Sequence, residues 1–183
     1  MASTGPLFLR NRNMYPNNNT IRKILAIDPG TREMGIAVLN GNELEHYGVK
    51  TITDRKSPSS ILLQGSQIVY RLIGLYKPNM LAIERPFMGY GNRSATLVAL
   101  GREITKLGRG IGLEVKEISP KTVKKAVAGS GSATKRDVAK ILCSTFPELR
   151  IHLEQTHKYK EHYWSNMFDA VAVAVAVEPS TGE

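Results

Sequence analysis

The chain has 183 residues, 42% of them hydrophobic, with 25 Lys and Arg against 16 Asp and Glu, a formal net charge of +9. That length fits one domain, and that apolar content excludes a wholly disordered chain. A single cysteine excludes an internal disulfide framework and a multi-cysteine zinc site, while the longest apolar run, residues 170–177, falls well below the roughly 18 residues that span a bilayer. The basic excess favours polyanionic partners, because each phosphate neutralised by Lys or Arg releases condensed counterions. Charge alone does not separate this from a ribosome-associated or merely soluble basic protein; the lone thiol fits a cytoplasmic setting, with nucleoid association as the expectation.

Residues 1–22 are polar, Asn-rich and broken by Pro6 and Pro16, and they carry no acidic residue. They read as a flexible basic arm; organellar import is a weaker reading, since the prolines spoil an amphipathic helix. Residues 23–178 form the expected single domain and 179–183 a tail. KILAID (23–28) is an apolar strand that ends in a carboxylate and meets the Pro29-Gly30 turn. MGIAVLN (34–40) is a second strand, and Gly41-Asn42 makes a tight hairpin into ELEHYGVKTI (43–52), so three antiparallel strands open the domain.

Ser57-Pro58-Ser59 starts a helix through Tyr76, with Ile61, Leu62, Ile68, Val69, Leu72 and Leu75 at helical spacing and Pro78 as its stop. MLAIE (80–84) is a further strand ending in a carboxylate. Residues 92–110 form a long helix with an apolar stripe at Leu97, Leu100, Ile104 and Leu107, followed by a strand over 113–118. Ser119-Pro120 opens another helix, and residues 134–146 form the next, closed by Pro147. Within that stretch Cys143 reads as a small buried hydrophobe.

Alternating Ala and Val after Asp169 has a strand's period of two, but the Ala content and absence of turn signals from Tyr163 to Val177 favour a buried helix. The whole is α/β, a mixed five-stranded sheet with helices on both faces.

Asp28 and Glu84 each end an apolar strand, and a carboxylate beside a core needs compensation from a cation or metal. The bland reading pairs them with Arg32 and Arg85. Asp169, between Phe168 and the Ala-Val run, is a third acid in apolar surroundings. If the three converge at one sheet edge, their oxygens suit Mg²⁺ or Mn²⁺, and in a basic protein that suggests metal-assisted phosphodiester hydrolysis.

These residues carry a family resemblance. KILAIDPGTREMGIAVL resembles the first hairpin of RuvC-type Holliday junction resolvases, with their RNase H-like fold, and LAIERPF resembles their second acidic motif. NRSATLVALG is similar to the following long helix, SPKTVKKAVAGSGSATKRDV to the basic stretch with its Gly-rich turn, and FDAVAVAVA to the C-terminal helix. The resemblance covers roughly residues 23–177, and these motifs in order are far more specific than Asp-Pro-Gly alone.

The resemblance implies that Asp28, Glu84 and Asp169 are catalytic acids binding two Mg²⁺ ions, with Mn²⁺ as a substitute. It implies that Phe87 stacks on an unpaired base at the junction centre, a contact worth about 1–3 kcal/mol. Lys124 and Lys135 match two basic positions near the scissile phosphate, one on each side of the Gly-rich turn. It further implies a homodimer, partly built by the 92–110 helix, acting on four-way junction DNA, with branch-migration motor proteins as possible partners. One position departs: the family places Asp or His three residues before its last acid, and here that residue is Asn166. Asn offers a carbonyl oxygen but no charge and cannot act as a base. His162, two helical turns before Asp169, is a candidate to compensate.

Other signals are weaker. GSGSATK (129–135) misses the phosphate-loop spacing and reads better as a DNA-facing turn. His152, His157 and His162 recur every five residues, about 140° apart on a helix, so they share no face; a polar loop with Lys158 and Lys160 is the plain reading. Arg85, Tyr90 and Arg93 surround Phe87 with basic, aromatic and glycine residues suited to a DNA-probing loop or to an ordinary turn. The expectation is a junction resolvase. Its competitors are a junction-binding protein impaired at Asn166 and a flap or branched-DNA nuclease of the same fold.

Overall fold

A computed structural model of the chain describes residues 22–85, 92–154 and 158–178, with side chains from 22–85, 95–154 and 163–178. Strands β1 (Lys23–Asp28), β2 (Glu33–Asn40), β3 (Glu43–Thr51), β4 (Met80–Glu84) and β5 (Glu114–Ile118) form one sheet in the order β3-β2-β1-β4-β5. β1–β2 and β2–β3 are antiparallel, joined by short turns, while β1–β4 and β4–β5 are parallel. The parallel pairs require long crossovers, supplied by α1 (Pro58–Tyr76) and α2 (Asn92–Ile111). β1 and β4 are central and covered on both faces, which explains their unbroken apolar runs: Ile24 to Ile27 and Met80 to Ile83 are all buried.

Alternation along the strands divides the core in two. Leu25, Ile27, Ile36, Val38, Leu81 and Ile83 meet α1 and α2 on one face. The helices themselves lie close, since a Cβ on Gly65 of α1 would stand 2.6 Å from Leu100 Cδ1 of α2. α1 begins with a Ser57–Ser60 capping box and Pro58 in its first turn, as the Ser-Pro-Ser signal predicts. Its apolar stripe is only partly inward: Val69 and Leu72 are buried, whereas Leu75 is 70% exposed.

On the opposite face Ile24, Ala26, Ala37, Leu39, Met80 and Ala82 pack beneath α3 (Pro120–Ala128), α4 (Lys135–Thr145) and α6 (Lys158–Val177). Cys143 is buried in this layer. The Ala-Val run is helical: Ala170 to Ala174 are essentially inaccessible on every side, and the small Ala26, Ala37 and Ala82 beneath let α6 settle onto the sheet.

Two expectations are corrected here. α6 begins at Lys158, so the stretch with Lys158 and Lys160 is helical rather than a loop. A 3₁₀ turn (Pro147–Leu149) and α5 (Arg150–Leu153) precede it, because Pro147 ends α4 but is itself a favourable first residue for a new turn.

Candidate active site

Asp28 and Glu84 are the last residues of β1 and β4, one step beyond the paired Ile27 and Ile83. Alternation puts both on the α6 face, since Ile24 and Ala26 precede Asp28 on that side, and Met80 and Ala82 precede Glu84. Across the ladder from Asp28 stands Gly35, and there α6 reaches the sheet: a Cβ on Gly35 would collide with the backbone carbonyl of Asn166. That approach sets Asp169, one turn further along α6, beside the two strand-end acids. Asn166 is half-buried on the same helix.

The electrostatics show that the three carboxyls share one site. Burial, then the charges of Glu84 and Asp169, hold the Asp28 carboxyl well above the usual carboxylate range. Burial and the Asp169 charge push Glu84 up to about 7, against the opposing pull of Lys135 and Lys124. The Lys135 ammonium pairs with the Asp169 carboxylate. Burial works against that ammonium, yet Asp169, Asp28 and Glu84 together raise its pKa.

Lys135 is placed by the start of α4. There the Thr134 hydroxyl accepts from the Asp137 N–H at 3.1 Å, and Asp137 accepts in return from the Thr134 N–H at 3.1 Å. Lys124 lies on α3, whose C-cap Gly129 takes a left-handed φ of 73° as the chain turns into the Gly-rich segment.

The bland pairing of the strand-end acids does not occur. Among the described residues neither Asp28 nor Glu84 forms an ion pair with Arg32 or Arg85. Arg85 is exposed, and its N–H donates to the Ile118 carbonyl at 2.8 Å, extending the β4–β5 ladder past Glu84. Phe87, Tyr90 and the side chains of Arg93, His157 and His162 lie outside the described residues. His152 packs against the Trp164 ring at 4.0 Å and the Tyr47 ring at 5.8 Å, in an aromatic cluster of its own. Two contributors escaped the sequence reading. Gly35 is signalled by a glycine inside a strand, and Ser165, which contacts Lys135, by its position one turn before Asp169.

As they stand, no three His, Cys, Asp or Glu side chains among the described residues are drawn tightly enough to hold a metal ion. The donor chemistry nevertheless fits a hard divalent cation. All the oxygen donors are carboxyls that feel one another's charge, Asp28 and Glu84 raised by burial and neighbouring negative charge, and the Lys135 ammonium pairs with Asp169. Further, no helix among the described residues is long and apolar enough to cross a membrane.

A family model described as crossover junction endodeoxyribonuclease RuvC matches residues 24–177. The chain is 35% identical over 122 residues to the protein of that name from Akkermansia muciniphila, covering 64% of this chain and 73% of the relative. With the protein of that name from Alkaliphilus metalliredigens, identity is 30% over 161 residues, covering 83% and 90%. The solved structure of Thermus thermophilus RuvC in complex with Holliday junction substrate superposes with a TM-score of 0.66 at 20% identity, covering 85% of this chain and 91% of that one.

Proposed function

Since the chain belongs to the RuvC family, we propose that its acidic cluster is the active centre of a Holliday junction resolvase, an endodeoxyribonuclease that nicks paired strands of four-way DNA junctions. The observation that carries this reading is the convergence of Asp28, Glu84 and Asp169 at the carboxyl ends of β1 and β4 of an RNase H-like sheet.

Asp28, Glu84 and Asp169, with the side-chain carbonyl of Asn166, are the residues that would hold Mg²⁺ or Mn²⁺, two ions per centre. When bound, the ions supply an activated water and neutralise charge on the scissile phosphate. The net hydrolysis would add a water oxygen to phosphorus as the P–O3′ bond breaks, the proton given up by the water balancing the one taken by the leaving 3′-oxygen. Lys135 and Lys124 place positive charge where the phosphate oxygens gain negative charge.

Phe87 stacks on an unpaired base at the junction centre, and Arg85, Tyr90 and Arg93 contact the strands around it. A homodimer presents two such centres to opposing strands. Branch-migration motor proteins and a place on the nucleoid complete the reading.

The test is cleavage of a labelled mobile four-way junction with Mg²⁺, beside flap and linear duplex substrates. Paired nicks confined to the junction and lost in Asp28→Asn, with binding retained, support the reading. Preferential flap cutting would favour a branched-DNA nuclease. Asn166 favours one second reading, a junction binder impaired in cutting, which binding without nicks in the parent and in Asn166→Asp would support.

A further inference from the structure

The Lys135 ammonium has two acceptors on one face of α6: the Asp169 carboxylate and, one helical turn earlier, the Ser165 hydroxyl at 3.3 Å. The two acceptors differ in kind. Asp169 supplies charge, which attracts an ammonium from a broad range of directions. A lysine head is a compact point charge on a flexible four-carbon stem, and charge alone fixes its place poorly. The side chain is 64% exposed, so packing leaves it free to swing. Ser165 is half-buried on a helix that is itself seated on the sheet, and its hydroxyl is a neutral, fixed second point of attachment. A divalent cation drawn to the three acids competes with the ammonium for Asp169 but has little claim on a neutral serine hydroxyl when carboxylates are at hand.

We propose that Ser165 is a positioning residue: its hydroxyl steers the Lys135 ammonium across the mouth of the acidic cluster and retains it there once Asp169 is engaged by a divalent cation, directed at a phosphate oxygen of the bound strand. This rests on the reading of the cluster as a phosphodiester-cleaving centre. Asn166, next in the chain, adds no charge at this end of α6, so the orientation of Lys135, the cation paired with Asp169 among the described residues, falls to Ser165.

The test uses the full chain as Ser165→Ala and Ser165→Thr, each alone and combined with Lys135→Met. The first readout needs neither DNA nor cleavage: the ε-methylene NMR signals of Lys135, assigned by their loss in Lys135→Met, with chelator and with Mg²⁺. An immobilised head gives two resolved ε-proton shifts in both states; these merge in Ser165→Ala and stay apart in Ser165→Thr.

The second readout is junction cleavage. Ser165→Ala lowers kcat about 5–20-fold, the loss of a hydrogen bond to a charged group, with KM unchanged. Ser165→Thr recovers to within about twofold of the parent, and Ser165→Ala has no added effect beside Lys135→Met. Merged signals in the parent, or an equal loss of kcat in the Lys135→Met background, overturn the positioning role. Resolved signals in a chain that cuts no junction overturn the nuclease reading instead, and with it any part for Ser165 in cleavage.

Discussion

Gly35 faces Asp28 across the β1–β2 ladder, and its missing side chain is what lets the Asn166 carbonyl of α6 rest on the sheet beside that acid. One backbone position therefore sets how far Asp169 stands from the strand-end carboxylates. The contact joins the packing of the fold to the chemistry of the site, because any side chain at Gly35 must lift the helix that carries the third acid.

Gly35→Ala is accordingly expected to lose about 1–3 kcal/mol of stability through overpacking. Junction cleavage should fall at least tenfold at temperatures where the variant remains folded. Gly74→Ala is the control. That position lies in α1 with nothing within 4 Å of an added Cβ, so helix propensity alone acts, and a gain of about 0.5–1 kcal/mol is expected. Urea denaturation of both variants, read with the cleavage rate, checks the pair.

Glu84 sets a pH dependence of known sign. Its carboxyl titrates near 7 in the folded, metal-free chain, raised by burial and then by Asp169, against an ordinary 4.5. Between those values the folded state holds a proton that the unfolded state has released, so this group's contribution to stability falls as pH rises from about 4.5 to 7 and stays low above. Asp28 acts in the same sense. In chelator, Glu84→Gln should therefore exceed the parent in stability by roughly 1–3 kcal/mol at pH 8 and by almost nothing at pH 4. Denaturant titrations at the two values would refute this by showing equal differences.

Divalent cations should remove that penalty. Mg²⁺ at about 100 times its Kd adds about 2.7 kcal/mol to the folded state, a rise in Tm of roughly 5–10 °C for a chain of this size. The rise is expected at pH 8 and to shrink at pH 5, where protons compete for Glu84. Asp28→Asn should lose most of it. Thermal melts with Mg²⁺ against chelator measure each case.

Asn166→Asp adds a fourth carboxylate on the α6 face. Metal affinity measured by calorimetry is expected to rise at least threefold, and Mg²⁺-dependent cleavage to rise with it. An unchanged or lower rate across a metal titration would show that this chain's centre is already matched to a neutral residue there.

Thr134→Ala removes the hydroxyl that caps α4 and should cost about 1 kcal/mol. Since Lys135 is the next residue, fraying of that turn loosens its approach to Asp169. The expected kcat loss at 25 °C is about threefold, and Thr134→Ser should restore it.

Much of this was legible in the chain itself, for a local reason. Apolar runs closed by Pro29-Gly30, Gly41-Asn42 and Pro78 determine where strands and helices begin and end, and a charge placed at the end of such a run marks Asp28, Glu84 and Asp169 as unusual. The Ala-Val run was ambiguous by period alone; its Ala content and lack of turns decided for a helix, and burial on all sides agrees. The start of α6 at Lys158 was not legible, because a polar first stretch carries no apolar period to read.

What only the tertiary structure decided depends on distance through space. Strand register puts Asp28 and Glu84 on the α6 face rather than the other, and a shift of one residue would reverse it. The partner of Asp169 is Lys135, 34 residues away, and no spacing rule connects them. Arg32, across the turn from Asp28, and Arg85, next after Glu84, form no ion pair with those acids among the described residues; the charge that matters arrives from helices folded over the sheet.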